Sequence, residues 1–269
     1  MKNFTYFTFP ISVYTFHLSV FSFHFSVYNI VWFWNKKHTI AASGILTGAA
    51  DHHSHILPGV DDGVETMDEA LRILAAYEEL GLKELWLTPH IMEDIPNTPQ
   101  KLRARFEELK TNYKGNITLH LAAEYMIDNH LRKLLNDNAE LLPIGNAGKH
   151  ILVETSYFNP PMRFKETLRQ IKSMGYYPLL AHPERYMYMD NDEYRRLREE
   201  GVKFQLNLVS LAGGYGAAVK KKAMWLLTNG LYSVAGSDLH SEDAIEYITK
   251  CRLGEQETEQ VKSLLQNKI

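Results

Sequence analysis

The chain is 269 residues long, 45% hydrophobic, and carries a formal net charge of −3. A barrel-sized domain of roughly 200 to 250 residues would use nearly all of that length, so one domain is expected. The slightly acidic balance gives no basic field for holding nucleic acid, and the lone Cys251 excludes an intramolecular disulfide and a cysteine-rich zinc site, which is compatible with a reducing, cytoplasmic setting.

Residues 1–47 read as an N-terminal extension ahead of a domain spanning residues 48–269. No Lys, Arg, Asp or Glu occurs from Phe4 to Trp34, a length that would suffice to span a membrane. Ser, Thr, Tyr and His are frequent there, Pro10 interrupts it, and Phe21 to Ser26 alternates in the manner of a strand. A signal anchor with Lys36 and Lys37 on the cytoplasmic side is one reading and a secretory signal is another. The preferred expectation is a non-native or disordered segment from a misassigned start, with the native chain beginning near Val31 or Trp32.

After Gly48, strand-like and helix-like segments alternate with short connections, the pattern of a parallel βα array. The first strand runs from Ala49 into Asp51-His52-His53-Ser54-His55. Met67, Ala70, Leu71, Leu74 and Tyr77 are spaced for one face of a helix over 65–80, which Gly81 ends. A strand over 84–87 follows, then a helix over 99–113 with Thr98 as N-cap, a strand over 117–122 and a short helix over 129–136. Strands are expected at 151–153, 177–181, 203–208 and 232–235, and helices at 163–174, 192–200, 216–229, 241–251 and 257–265. Lys220, Lys221 and Lys222 read as the solvated side of the third of those helices. The count is about seven strands, which predicts a barrel one strand short of eight, with an open doubly wound sheet as the alternative.

The strand exits carry the chemistry. In an extended chain residues i and i+2 point the same way, so His53 and His55 can grip one ion from a single strand. Asp238 and His240 repeat that spacing at the last strand. Asp62, His90, Glu124, Glu154 and His182 stand at or just beyond the exits between them. Imidazole and carboxylate together suit Mn, Fe or Zn rather than Ca. These nine groups exceed the ligands of one ion, about four to six, so two or three ions with a bridging carboxylate are expected. His17, His24, His38 and His120 read as non-ligands, and His52 points away from its neighbours unless it supports them from behind. Tyr157 to Pro161 should form part of the rim.

The set DHHSHILPGVDDG, TPH, AAEY, LVETSYFNPP, LAHPERY and SDLH, spread over Gly48 to about Cys251, resembles the PHP (polymerase and histidinol phosphatase) superfamily. Within it, the set closely resembles the manganese-dependent protein-tyrosine phosphatases of capsular polysaccharide loci. The resemblance implies an α/β fold, a distorted (β/α)7 TIM-like barrel of the PHP type, and a trinuclear site. His53, His55, Glu124 and Asp238 would hold the first ion, Glu124 would bridge to a second held by Glu154 and His182, and Asp62, His90 and His240 would hold a third.

The implied reaction is hydrolysis of phosphotyrosine by water made acidic on Mn2+, with Fe or Zn as alternative metals. Arg185 would fork onto a phosphate oxygen, the guanidinium's favoured geometry. Catalysis is therefore expected to rest on Arg185, Asp238 and His240. The implied partner is the tyrosine-phosphorylated tail of a bacterial kinase that controls capsular or exopolysaccharide synthesis, with membrane contact only through that kinase or an N-terminal anchor. Histidinol phosphate or another small phosphomonoester is the alternative substrate.

Two features depart from the resembled family: Ser241-Glu242-Asp243 follows the last Asp-x-His where some relatives place an Arg, and the N-terminal extension is long. A cysteine-based phosphatase is excluded because Glu257 stands where its loop needs an arginine after Cys251. Glu154 stands where many amidohydrolases place a bridging lysine, and the acidic charge argues against a nuclease. A non-catalytic phosphopeptide-binding barrel is the reading from a different class.

Overall fold

A computed structural model of the protein describes residues 37–269. The membrane anchor, the secretory signal and the chain start near Val31 or Trp32 are expectations that lie outside the described residues. Among the described residues no helix is long and apolar enough to cross a membrane. Residues 38–47, assigned to the extension by sequence, pack onto the domain. There β1 (His38–Thr39) pairs antiparallel with β11 (Arg252–Leu253), α1 (Ile40–Ser43) follows, and Ile40, Ile45 and Leu46 are buried.

Strands and helices then alternate. After β2 (Ala50–Ser54), Thr66 caps α2 (Met67–Glu79) by accepting from the Glu69 N–H, and Ala70, Ile73, Leu74 and Tyr77 form its buried face. β3 (Glu84–Leu87) and β4 (His90–Ile91) precede α3 (Pro99–Asn112), which Thr98 caps as expected, with Pro99 in the first turn where no N–H is needed. Next come β5 (Thr118–Leu121), β6 (Glu124–Met126), and α4 (Asn129–Asn136) capped by Asp128. The pattern continues through β7 (His150–Glu154), α5 (Phe164–Ser173), β8 (Tyr177–Ala181), a 3-10 turn at Pro183–Arg185, and α6 (Asn191–Glu199). It closes with β9 (Lys203–Asn207), α7 (Leu208–Ala212), α8 (Ala217–Thr228), β10 (Val234–Gly236), α9 (Asp243–Lys250) and α10 (Glu255–Gln266).

The result is a mixed α/β fold of parallel sheets, one in the order β10-β9-β8-β7-β6-β4 and another in the order β2-β3-β5. The described residues hold nine parallel strands where the sequence counts about seven, because two short strands, β4 and β6, follow β3 and β5. Pro89 has no N–H to donate and separates β3 from β4. Ala122 and Ala123 bond to Leu87 O at 2.9 Å and Leu142 O at 3.2 Å, and this separates β5 from β6. The first and last of the nine also meet: Ser54 bridges Leu239 in parallel, the Asp238 N–H donates to His53 O at 2.8 Å, and the His55 N–H donates to Leu239 O at 2.9 Å.

Alternation along the strands makes two apolar layers. Ile151, Val153 and Leu180 join the large core beneath the helices, whereas Trp86, Leu152, Leu179, Ala181 and Val234 form a smaller core on the other face. Burying one such leucine contributes about 1.5–3 kcal/mol. Two expectations need correction. Leu208, read as the end of a strand, opens α7, because the Asn207 side chain accepts from the Ser210 N–H and starts a helix. Lys222 is not on a solvated face: its Nζ donates to Tyr186 O at 2.7 Å and Met189 O at 2.9 Å, carbonyls of the segment after His182.

Candidate metal centre

All nine histidines and carboxylates singled out by sequence come together at the exits of the parallel strands. His53 and His55 lie on and just after β2, His90 opens β4, Glu124 opens β6 and Glu154 ends β7. His182 follows β8, and Asp238 and His240 follow β10. Three groupings have ligand atoms within 4.8 Å of one another: His53, Glu124, His182 and Asp238; His90, Glu124 and Glu154; and His55, Asp62, His90 and His240.

Two atoms sharing one ion at about 2.1 Å lie roughly 3.0–3.4 Å apart in octahedral or tetrahedral geometry. Many contacts here fall in or near that range. His53 Nε2 is 3.2 Å from Glu124 Oε2 and 3.3 Å from Asp238 Oδ1, and His55 Nε2 is 3.3 Å from both. The two Nε2 atoms themselves are 3.1 Å apart. His182 Nε2 lies 3.0 Å from Glu124 Oε1, and His90 Nδ1 lies 3.3 Å from Glu154 Oε1. Asp62 Oδ1 is 3.5 Å from His90 Nε2 and 3.6 Å from His240 Nε2. Asp62, whose side chain is 64% exposed, and His240 form the open side, while His53, His55 and Glu124 are fully buried.

Four residues outside the predicted set aim these side chains. Asp61 Oδ2 accepts from His55 Nδ1 at 2.8 Å and from the His90 N–H at 3.0 Å. Gln205 Oε1 sits 3.0 Å from His53 Nδ1 and accepts the His182 N–H at 3.2 Å. Both imidazoles therefore carry hydrogen on Nδ1 and turn Nε2 toward the cluster, the usual support of a ligating histidine. Asp51 accepts the N–H groups of His53 and Ser237 at 3.1 and 2.8 Å and the Tyr77 hydroxyl at 2.9 Å, and Asn207 Nδ2 donates to Asp238 Oδ2 at 2.7 Å. The DxHxH run and the doubled Asp61-Asp62 could have flagged two of these; β9, which supplies no predicted ligand, gave no signal. His52 bonds Ala235 O and His120 stacks on Trp86, both away from the centre.

Arg185 reaches the centre from the turn after β8. Its Nη1 donates to Asp238 Oδ2 at 2.8 Å, and its guanidinium lies 4.1 Å from the rings of both Tyr157 and Tyr215. It lines a cavity of about 350 Å³ with Asp62, His90, Glu154, Tyr157, Tyr215 and His240, among others. Tyr157 is thus at the rim as expected, while its neighbour Phe158 is 75% exposed.

The electrostatics call for positive charge. Burial, then the charges of Glu124 and Asp238, push the Glu154 carboxyl well above its ordinary value. Burial also opposes ionisation of Glu124 and Asp238, but the histidines around them hold both below it. Asp62 is pulled down to about 2, chiefly by His240. His90 Nδ1 and Glu124 Oε2, 3.2 Å apart, are buried without a hydrogen-bond partner among the described residues. Buried acceptors with no donor, packed among three carboxylates, suit divalent cations bound by oxygen and nitrogen.

Fold and site together define a mixed α/β protein with a histidine–carboxylate centre at the exits of its parallel strands. The family described as "Capsular polysaccharide synthesis, CpsB/CapC" matches residues 49–262, and the chain belongs to that family. It is 30% identical over 202 residues to the tyrosine-protein phosphatase YwqE of Bacillus subtilis (strain 168), covering 71% of this chain and 77% of that one. It is likewise 30% identical over 207 residues to the tyrosine-protein phosphatase CpsB of Streptococcus pneumoniae, covering 72% and 84%. A crystal structure from the work on YwqE and CpsB, described as metal-dependent tyrosine phosphatases, superposes with a TM-score of 0.67 at 24% identity over 82% of this chain and 97% of that one. Histidinol phosphate phosphatase of Lactococcus lactis, solved with Zn, L-histidinol and phosphate, gives a TM-score of 0.50 at 13% identity over 82% and 95%. These structural likenesses concern the fold.

Proposed function

We propose that this protein is a metal-dependent protein-tyrosine phosphatase that removes phosphate from the tail of a bacterial tyrosine kinase governing capsular or exopolysaccharide synthesis, in the cytoplasm. The observation that carries the reading is the convergence of His53, His55, Asp62, His90, Glu124, Glu154, His182, Asp238 and His240 beside Arg185. The proposed residents are two or three Mn2+ ions. When bound they supply positive charge to the phosphoryl oxygens and a water acidified toward neutral pH.

The chain's own residues bind, orient and exclude water. Arg185, flanked by Tyr157 and Tyr215, presents a flat fork to one side of the cavity, and a phosphate oxygen is an alternative acceptor to Asp238 for it. Asp238 and His240, two residues apart on one exit, face the same space from opposite depths, the first buried and the second at the rim. The two sheets are proposed to be one distorted (β/α)7 barrel. The bonds from Ser54, His53 and His55 to Asp238 and Leu239 support its closure, and the small core of Trp86, Leu152, Leu179 and Val234 supports an inside distinct from the helix-covered outside. The phosphatase domain of this reading is residues 48–269.

The deciding experiment strips the purified protein of metal and follows phosphate release from a tyrosine-phosphorylated peptide and from histidinol phosphate, with and without Mn2+. Mn2+-dependent release that favours the peptide is expected. Preference for histidinol phosphate would move the substrate assignment, and turnover of neither would overturn the phosphatase reading.

A further inference from the structure

We propose that Asn207 is a positioning residue that holds Asp238 in place when Arg185 turns from Asp238 to a phosphate; the second half of that statement rests on the reading of Arg185 as a phosphate clamp. The two oxygens of Asp238 have different neighbours. Oδ1 lies 3.3 Å from the Nε2 atoms of both His53 and His55, so it is the oxygen offered to the cluster. Oδ2 is held from behind by two donors, Arg185 Nη1 at 2.8 Å and Asn207 Nδ2 at 2.7 Å.

Those two donors are not equivalent. The Arg185 side chain is 14% exposed and lines the cavity, where substrate would compete for it. Asn207 is fully buried, and its other polar groups are committed. Its N–H donates to Glu184 Oε1 at 3.0 Å, and its Oδ1 accepts the Ser210 N–H at 2.9 Å. That second bond fixes which way the amide faces, leaving its NH2 to Asp238. Glu184 is itself held by the Tyr232 hydroxyl at 2.9 Å. Asp238 also has a backbone φ of 54°, a conformation costly for a non-glycine residue and one that surrounding bonds must sustain.

Arg185 and Asn207 therefore back each other up, and their contributions to metal binding will not combine independently. Asn207→Ser keeps an oxygen to cap α7 but is too short to reach Asp238; Asn207→Asp keeps cap and shape but opposes one carboxylate with another. Mn2+ affinity of the full chain, measured by calorimetry without substrate, should fall less than about fivefold for Asn207→Ser or Arg185→Ala alone and at least about 100-fold for the pair. Asn207→Asp alone should lose about 10-fold or more. In turnover of a phosphotyrosine peptide, Asn207→Ser should lower kcat about 10-fold with KM within about twofold, whereas Arg185→Ala should raise KM.

Circular dichroism of the metal-free variants keeps unfolding separate from metal loss. A double variant whose loss equals the product of the single losses, or an Asn207→Asp protein that binds Mn2+ like the parent, overturns the proposal. Unchanged KM in Arg185→Ala would defeat the clamp reading while the Mn2+ measurements still decide whether Asn207 holds Asp238.

Discussion

Gly236 has no side chain because His53 occupies the space one would need. A Cβ built there meets His53 Cβ at 2.6 Å and His53 N at 2.7 Å, and neither the backbone of β2 nor the root of a buried imidazole can give way cheaply. Gly236→Ala should destabilise the fold by about 1–3 kcal/mol, as overpacking does, and weaken metal binding by moving His53. Urea denaturation beside Mn2+ calorimetry checks this, and a variant matching the parent in both would show that the strands can part at no cost. Gly63 guards His55 in the same way, its Cβ position lying 2.2 Å from His55 O. The nine residues that cluster at the strand exits were legible in the sequence, because strand exits and i, i+2 spacing are local. Gln205 and Asn207 were not, because what they do depends on which distant residue the fold brings opposite them.

Strand β7 carries two kinds of burial at its two ends. Glu154 stands at the exit among other charges, whereas His150 at the entrance has neither ring nitrogen hydrogen-bonded among the described residues. Burial, followed by the nearby charge of Lys203, lowers the His150 pKa from 6.5 to about 4. Above pH 6.5 folded and unfolded imidazoles are both neutral and the group has no effect on stability. Between 6.5 and about 4 the unfolded chain takes the proton first, so stability falls as the pH drops through that window. His150→Phe should therefore show a smaller loss of urea midpoint between pH 7 and pH 5 than the parent; equal losses would acquit this histidine. Elements as such were largely readable: the cap Thr98 and the face of α2 follow from local chemistry. The divisions at Pro89 and Ala122 and the start of α7 at Leu208 were not, since each depends on a partner strand or on the Asn207 side chain.

Across the whole molecule, the centre gathers Glu124, Glu154 and Asp238 in one buried place, an arrangement whose mutual repulsion divalent ions would relieve. Mn2+ at 100 times its dissociation constant should add about 2.7 kcal/mol to folding stability, and chelation should remove it. Thermal unfolding with Mn2+ and with excess chelator measures that difference, and coincident curves would speak against ions in this site. The overall plan was visible in the alternation of segments and in the motif set. The way its two ends meet was not, since nothing local in Asp51 announces Ser237.

That meeting bears on how the protein is made. The Asp51 carboxylate bonds the Ser237 N–H across 186 positions of sequence, and β2 is pinned to the stretch after β10. A ribosome delivers Asp51 well before Ser237, so His53 and His55 emerge long before Asp238 and His240 can reach them. Until then a growing chain has no complete centre to load, and metal capture waits for the stretch after β10. The complete cluster is thereby reserved for chains whose synthesis has passed His240.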